Sequence, residues 1–315
     1  MINAVDPARG GDNIIQARDV RMRYGANDVL HGVSFDVDQG EVVALLGPNG
    51  AGKTTMIEIL EGLRVRSAGD VAVLGEDPAS AGEDWRSRTG VVLQSWRDHA
   101  RWTPRMLLAH IGRYYEPYST PQRRRPRDAD RLLAAVGLDD KADHKIRTLS
   151  GGQRRRLDVA IGLIGNPELL FLDEPTAGLD PHGRREFHDL VKALSERDDT
   201  TILLTTHDLA EAERLADRIM VLAAGRIIAN GSAEALARQI GREALVRWRE
   251  DGVERERATS DPTAFVRELL TCDSRHVSDL EVRRPSLEET YLALVHEHEG
   301  GHQLKSGALF EEARA

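Results

Sequence analysis

The sequence is poor in cysteine and in long apolar runs, and each shortage excludes a class of protein. Cys272 is the only cysteine among 315 residues, so the chain can form neither an internal disulfide nor a cysteine-based metal cluster. Its longest apolar runs, such as residues 42–46 and 169–172, are much shorter than the roughly 20 residues that cross a bilayer. If the protein acts at a membrane, we expect it to act from the cytoplasmic face and through a partner.

The sequence also lacks an excess of basic residues and an apolar leader. It has 43 Lys and Arg against 52 Asp and Glu, which gives a formal net charge of −9. Because nucleic-acid-binding proteins usually carry a basic surface, this balance disfavours a nucleic-acid partner. Residues 1–11 include acidic side chains and no apolar segment, so we expect no secretory signal peptide there.

One basic run stands out against this balance. Residues 122–127 have the sequence QRRRPR and lie between two predicted helices. Because the run is short and contains Pro126, we interpret it as a solvated loop rather than as a nucleic-acid patch.

Hydrophobic periodicity predicts three successive regions up to residue 231. Residues 14–94 are rich in strand patterns, residues 95–166 are mainly helical, and strands alternate with helices from residue 168. The predicted strands are residues 14–20, 30–37, 41–46, 71–74, 90–93, 169–173, 201–206 and 219–223. The predicted helices are residues 54–63, 106–115, 128–136, 153–164, 183–196 and 209–216. Alternation with near-continuous apolar strands implies an α/β fold with a parallel sheet buried on both faces.

The pattern changes beyond residue 231. Residues 243–248 and 253–258 alternate like a hairpin around Asp251-Gly252. A helix, a strand and a second helix are predicted at residues 261–270, 280–283 and 286–296. We therefore predict a main α/β domain at residues 14–231, a small accessory α+β module at residues 232–297 and a flexible tail at residues 298–315.

A phosphate-binding loop follows the predicted strand that ends at residue 46. Gly47, Gly52, Lys53 and Thr54 satisfy G-x-x-x-x-G-K-[ST], with a strand entering the loop and a helix leaving it. The glycines let backbone N–H groups converge on phosphate oxygens, and the helix N-terminus adds its dipole. We expect Lys53 to reach the β- and γ-phosphates of ATP and Thr54 to ligate Mg²⁺. A chance glycine-rich turn is the alternative that this context disfavours. The predicted nucleotide-binding residues of the loop are Gly47, Pro48, Asn49, Gly50, Ala51, Gly52, Lys53, Thr54 and Thr55.

Two carboxylates end the predicted strand at residues 169–173. Asp173 and Glu174 therefore lie at the carboxyl edge of a parallel sheet, where ligands bind in such folds. We expect Asp173 to hold Mg²⁺, directly or through water, and Glu174 to polarise the attacking water as a general base. Capping of the next helix could explain one carboxylate, but two together favour a catalytic site.

Two other polar residues end strands of the same predicted sheet. His207 follows residues 201–206, and its place beyond this edge favours a γ-phosphate contact over a purely structural role. Gln94 ends the strand at residues 90–93 and carries little weight by itself.

A second anion-binding pattern opens the predicted helix at residues 153–164. Ser150 is a suitable N-cap, and Gly151 and Gly152 let backbone N–H groups face an anion, followed by Gln153. The chain thus has two phosphate-type sites about 100 residues apart, and the spacing alone does not show how they cooperate.

Together these residues resemble the ATP-binding subunit of ABC transporters over roughly residues 14–231. The resemblance implies a P-loop NTPase fold, with a RecA-like parallel core, an antiparallel β-subdomain and an α-helical subdomain at about residues 95–166. It implies that Tyr24 stacks on adenine, that Gln94 is the Q-loop residue at the catalytic Mg²⁺, and that His207 is the switch histidine. It further implies that Ser150, Gly151, Gly152 and Gln153 form the signature and that Asp180 belongs to the D-loop.

The same resemblance implies partners. Two subunits, identical or related, would form a head-to-tail dimer in which the signature of one closes over ATP held by the other. The helical subdomain would contact an integral-membrane permease encoded by a separate gene. Residues 283–292 resemble the C-terminal part of bacterial drug-export ATPases of the daunorubicin-resistance type, which suggests export of a small molecule.

Two alternatives belong to other classes. A soluble ABC ATPase of translation or DNA repair is disfavoured because the chain has one cassette and no room for a long coiled coil between residues 94 and 149. A nucleotide-gated binding module without turnover is disfavoured by intact Glu174 and His207. The sequence does not identify the transported substrate, because the permease would bind it.

Overall fold

The computed structural model describes residues 13–92, 99–197, 200–240, 244–250, 252–271, 277–283, 288 and 291–292. Contacts among these residues divide the chain into two compact units, with the division between Asn230 and Gly231. Gln94, most of the predicted helix at residues 286–296 and the predicted tail at residues 298–315 lie outside the described residues.

The elements follow one another in the predicted α/β order. In chain order they begin with β1 (Asn13–Tyr24), β2 (Asn27–Asp38), β3 (Val42–Leu46), α1 (Lys53–Leu60), β4 (Ala68–Val73), α2 (Glu83–Ser87), β5 (Thr89–Val92), α3 (Pro104–Gly112), α4 (Ala129–Ala135), α5 (Gly151–Leu163), β6 (Leu169–Asp173), α6 (Pro181–Arg197), β7 (Thr201–Thr206), α7 (Leu209–Leu215), β8 (Arg218–Ala223) and β9 (Arg226–Gly231). They continue with α8 (Ala233–Ile240), β10 (Ala244–Glu250), β11 (Val253–Thr259), α9 (Pro262–Thr271) and β12 (Val277–Arg283). Short 3-10 helices span Arg113–Tyr118, Asp139–Lys141 and Ile146–Thr148.

A six-stranded sheet in the order β5-β6-β7-β3-β8-β9 forms the centre of the first unit. The pairs from β5 to β8 are all parallel. All five residues of β3 and all six of β7 are buried, as expected of central strands covered on both faces. The predicted fold class is confirmed, because the core is a parallel sheet whose strands share one carboxyl edge.

A three-stranded antiparallel sheet, β2-β1-β4, accompanies this core. β1 and β2 are longer than the predicted strands and meet in a tight turn at Gly25, whose φ is +59°. The predicted first strand stops at residue 20 because the exposed Arg21 and Arg23 interrupt the apolar pattern of β1. Both arginines are paired on that face, with Asp19 and Asp28 respectively.

The helical subdomain contains α3, α4 and α5, each started by a side-chain N-cap. Thr103, Asp128 and Ser150 accept backbone N–H groups of the first turn of these helices. The interpretation of residues 122–127 as a solvated loop is wrong for Arg125, whose side chain is only 4% exposed and contacts Glu168 at 3.4 Å. A carboxylate across the fold therefore draws this guanidinium inward.

The second unit contains a three-stranded antiparallel sheet, β11-β10-β12, with α9 packed on it. The predicted hairpin is present, and β10 alternates buried and exposed residues. Val246, Trp248 and Leu269 form its small core, with Phe265 against the Trp248 ring at 5.4 Å. The helix α8 was not predicted from the sequence.

Candidate ATP-binding and hydrolysis site

The loop between β3 and α1 has the backbone of a phosphate cradle. Gly50 and Gly52 have φ values of +83° and +105°, a region that favours glycine. At Gly47 an added Cβ would lie 2.2 Å from the Leu222 carbonyl oxygen, so only glycine fits. The Gly47 N–H donates to the Thr206 carbonyl at 3.2 Å, which ties the loop to the end of β7.

Lys53 is folded into this loop. Its Nζ donates to the carbonyl oxygens of Gly47 at 2.8 Å and Pro48 at 3.1 Å, and its side chain is 5% exposed. Burial lowers the pKa of Lys53, and the negative charge of Glu174 opposes that shift. A buried ammonium held by neutral carbonyls is suited to bind an arriving phosphate, because each phosphate oxygen is a stronger, charged acceptor.

One hydroxyl positions both carboxylates that follow β6. Asp173 and Thr205 are direct partners in the β6–β7 register. The Thr205 hydroxyl donates to Asp173 Oδ1 at 2.5 Å and accepts the Glu174 N–H at 3.0 Å. Thr205 is not among the predicted site residues, since a fully buried threonine inside an apolar strand looks like ordinary strand content. Only the register between two parallel strands identifies it.

Three predicted residues from three separate segments meet at this carboxyl edge. Glu174 Oε1 lies 3.5 Å from Lys53 Nζ and 3.3 Å from His207 Nδ1. Glu174 itself has φ +42°, an uncommon conformation for a residue with a side chain. A carboxylate between a lysine and a histidine, beside a phosphate cradle, can accept a proton from water next to a γ-phosphate.

A buried arginine connects the signature helix to the same carboxylates. Arg155 in α5 donates from Nε to the Pro175 carbonyl at 2.6 Å and from Nη2 to the Asp173 carbonyl at 3.2 Å. These carbonyls flank Glu174 in the chain, so Arg155 restrains its backbone on both sides. Arg155 is not among the predicted site residues, because in the sequence it is one of three consecutive arginines.

The signature residues begin α5. Ser150 and Gln153 form a capping box, with the Gln153 N–H donating to Ser150 Oγ at 3.3 Å and the Ser150 N–H donating to Gln153 Oε1 at 3.0 Å. An added Cβ at Gly151 would meet no atom within 4 Å, and at Gly152 only the Gly183 Cα at 3.9 Å. The backbone at this helix start is therefore open to an approaching group.

The structure places the remaining predicted residues as follows. The Tyr24 ring lies at the end of β1 with the Arg64 guanidinium 5.1 Å from its centre. Asp180 caps α6, since its Oδ1 accepts the Gly183 N–H at 2.7 Å. Thr54 is exposed at the start of α1, Thr55 is partly buried, and Asn49 is exposed in the loop. Ala51 is buried and donates its N–H to the Pro48 carbonyl at 3.3 Å.

A family model described as ABC transporter matches residues 30–177. A daunorubicin resistance ATP-binding protein of Streptomyces coeruleorubidus is 38% identical over 307 residues, which cover 90% of this chain and 96% of the relative. A fluoroquinolones export ATP-binding protein of Mycobacterium tuberculosis is 36% identical over 298 residues, covering 92% of this chain and 95% of that protein. A Nod factor export ATP-binding protein of Ralstonia nicotianae is 41% identical over 237 residues, 75% of this chain and 72% of the relative.

Solved structures give the same family. The structure of an ATP-binding subunit of an ABC transporter matches with a TM-score of 0.60 and 28% identity, covering 72% of this chain and 93% of that one. A dimeric bacterial ABC transporter cassette matches with a TM-score of 0.58 and 26% identity, covering 69% and 98%. In the part of the chain that the structure describes, no helix combines the length and apolar character needed to cross a membrane. The chain belongs to the ABC transporter family, as an ATP-binding subunit that hydrolyses ATP.

Proposed function

We propose that this ATPase powers the export of a small molecule or drug through a separately encoded membrane permease, from the cytoplasmic face of the membrane. The meeting of Lys53, Glu174 and His207 at one sheet edge carries the proposal, because it provides a phosphate cradle and a general base. The direction of transport is inferred from the relatives, whose names describe drug resistance and export.

Mg²⁺ fits the residues at the carboxyl edge. In the described residues, no group of three or more His, Cys, Asp and Glu could hold a metal ion by itself. Mg²⁺ commonly takes one or two protein oxygens and completes its shell with phosphates and water. We propose that the exposed Thr54 hydroxyl and the Asp173 carboxylate are those protein ligands. The ion would neutralise charge on the β- and γ-phosphates.

We propose further that the working form is a head-to-tail dimer, of two copies or of this chain with a related ATPase. The open backbone at Gly151 and Gly152 supports it, since this helix start can accept a phosphate held by another subunit. In such a dimer Lys53 of one subunit and Ser150 of the other complete one site.

Subunit mixing tests the homodimer directly. Lys53→Ala and Ser150→Arg subunits should each be inactive alone. In an equimolar mixture about half of the dimers are mixed, and each mixed dimer contains one site with both defects and one intact site. The mixture should therefore regain about a quarter of the wild-type ATPase rate if the two sites act independently. A mixture as inactive as its components contradicts a homodimer whose composite sites act independently, and the wild-type protein shows that ATP turnover itself is intact.

Reconstitution tests the export function. The chain is co-purified with the product of a neighbouring gene that has about six apolar spans, inserted into vesicles and screened for ATP-dependent movement of fluorescent drugs. We expect transport with the wild-type chain and none with Glu174→Gln. Recovery of ribosomes rather than a membrane protein in a pull-down from cells would instead favour the soluble alternative.

A further inference from the structure

An arginine-lined cavity lies at the amino edge of the parallel sheet, opposite Lys53 and Glu174. Its volume is about 680 Å³. Arg88, just before β5, and Glu168, just before β6, contribute to one wall, and the segment from Tyr118 to Arg127 of the helical subdomain forms another. The strand β6 separates it from Asp173 by about 15 Å, at roughly 3.3 Å per residue. We call it the arginine cavity.

The arginine cavity has an excess of positive charge in an otherwise acidic protein. Its lining residues include five arginines and two carboxylates, Asp84 and Glu168, so the formal charge of the lining itself is +3. The five arginines are Arg88, Arg123, Arg124, Arg125 and Arg127. The whole chain carries a net charge of −9, so this concentration of cations is local.

Glu168 is shared between several of these guanidinium groups. Arg88 binds it through two hydrogen bonds of 2.9 Å, and Arg125 Nη2 lies 3.4 Å from its Oε1. Burial alone would raise the pKa of Glu168, but the hydrogen bond from Arg88 and the charges of Arg88, Arg123 and Arg125 lower it overall. One carboxylate therefore balances only part of the surrounding charge.

Two arginines of the cavity show where that balance is incomplete. The Arg125 side chain is 4% exposed, and its Nε has no hydrogen-bond partner. The Arg124 side chain is exposed and forms no hydrogen bond or ion pair within the described residues. Like charges gathered in a partly enclosed space repel one another, and a bound anion would relieve that repulsion.

We propose that the arginine cavity is a second anion site, which binds a phosphate-bearing group with two or more negative charges. Guanidinium groups present paired donors that match phosphate oxygens, whereas a single lysine offers a point charge. The cavity volume lies within the range of about 300–1,000 Å³ that is usual for small-molecule sites. A free polyphosphate or nucleotide and a phosphate lipid headgroup share this chemistry.

A ligand in the arginine cavity would join two parts of the first unit. Arg88 and Glu168 directly precede the core strands β5 and β6, whereas Arg123 and Arg124 lie between the 3-10 helix Arg113–Tyr118 and α4. A bridging anion stabilises the folded form in proportion to its occupancy and raises the unfolding temperature. It thereby restrains the helical subdomain from the side opposite the ATP site.

Calorimetry with inorganic triphosphate tests the free-anion source. The full chain with Lys53→Ala, which weakens the nucleotide site, is the reference protein. It is compared with the same protein that also carries Arg123→Gln/Arg124→Gln. We expect the double substitution to weaken binding about tenfold or more, because two charged donors are lost. The matched control is Arg185→Gln/Arg267→Gln, which removes two exposed arginines that do not line the cavity. Thermal unfolding without ligand shows that both doubles fold.

Flotation with vesicles tests the headgroup source. Vesicles of phosphatidylcholine with phosphatidic acid are compared with vesicles of phosphatidylcholine alone. In one outcome the chain floats with the acidic vesicles, loses that flotation in Arg123→Gln/Arg124→Gln and shows no triphosphate binding. This combination of results supports the site with a lipid ligand. If the cavity double and the control double behave alike toward both triphosphate and vesicles, the proposal is overturned.

Discussion

The two edges of the parallel sheet carry opposite kinds of polar chemistry. The carboxyl edge holds one buried lysine among carboxylates and glycines, whereas the amino edge holds the arginine cavity, whose lining includes five arginines and Glu168. The strand β6 contributes to both, since it begins beside Glu168 and ends at Asp173. The four residues of β6 between Glu168 and Asp173 are buried and apolar. The polar residues at the two ends of the strand therefore decide what each edge can bind.

The cations of the two edges differ in how firmly they are held. Burial lowers the pKa of Lys53, whose hydrogen bonds go to neutral carbonyls. The hydrogen bonds that Arg88 donates to Glu168 raise the pKa of Arg88, which stays in a two-pronged ion pair. A lysine loosely satisfied by carbonyls can change partner when a phosphate arrives, whereas a paired arginine is fixed. This suits turnover at one edge and static structure or binding at the other.

The largest expected effect is loss of hydrolysis in Glu174→Gln. The amide keeps the size of the side chain and cannot accept a proton, so kcat should fall by about 10²–10⁴-fold, the usual contribution of a general base. ATP affinity, measured with a fluorescent analogue, should stay within a few-fold of wild type. Glu213→Gln, which changes an exposed glutamate of α7, is the control and should keep full activity. Normal hydrolysis in Glu174→Gln would contradict the role given to Glu174.

Lys53→Ala should act on binding. A charged hydrogen bond contributes about 1.5–3 kcal/mol, so we expect the Kd for ATP to rise by roughly tenfold to a hundredfold. Lys192→Ala, which removes an exposed lysine of α6, serves as the control. Titration of both variants with the same analogue distinguishes them, and equal affinities would remove Lys53 from the phosphate site.

A pair of threonines in β7 compares the two edges within one strand. Thr205 holds Asp173 and Glu174 at the carboxyl edge, whereas Thr201 Oγ1 accepts the Gly40 N–H at 2.9 Å at the amino edge. Both are fully buried, so Thr205→Val and Thr201→Val should each cost about 1–3 kcal/mol of unfolding free energy.

Only Thr205→Val should also lower kcat, by about tenfold, because it releases the carboxylates from their positions. Urea unfolding and steady-state ATPase assays on the two variants provide the comparison. A similar loss of kcat in Thr201→Val would mean that general destabilisation, rather than carboxylate position, sets the rate.

The candidate residues of the carboxyl edge could be picked out in the sequence because they belong to local patterns. The glycines from Gly47 to Gly52 and the pair Asp173–Glu174 sit next to strands whose apolar runs are visible without a structure. The roles of Thr205 and Arg125 depend on partners across the fold, 32 residues away at Asp173 for the first and 43 residues away at Glu168 for the second. Hydrophobic periodicity contains no information about such partners across the fold. Thr205 therefore looks like an ordinary strand residue in the sequence, and Arg125 looks like an ordinary loop residue.

The same limit applies to the outer strands. The charged residues Arg21 and Arg23 alternate with buried Val20 and Met22, so β1 continues where the apolar pattern weakens. Its continuation depends on pairing with β2 and β4, which the residues of β1 alone do not specify.

The last expected effect is on the pH dependence of stability, and it contrasts two glutamates. Burial, followed by the charges of Asp173 and Glu58, raises the pKa of Glu61 to about 8. The arginines of the cavity instead lower the pKa of Glu168. In the folded protein Glu61 therefore keeps its proton at neutral pH, and the stability that this proton adds is lost as pH rises from the ordinary glutamate pKa toward 8. For Glu168 the stabilisation is present at neutral pH and is lost in acid.

Glu61→Gln mimics the protonated side chain. In the wild type, Glu61 should make the unfolding free energy fall by at most about 1.4 kcal/mol per pH unit between about pH 5 and 8. This contribution to the fall should be absent in Glu61→Gln. Urea unfolding at several pH values measures the unfolding free energy of both proteins. Burial also raises the pKa of Asp158, to about 6, and the difference between variant and wild type separates the contribution of Glu61 from that of Asp158. Glu168→Gln should leave that window unchanged and lose stability at neutral pH, because Arg88 and Arg125 lose a shared partner. A Glu61→Gln profile that parallels the wild-type profile from pH 5 to 8 would contradict the raised pKa of Glu61.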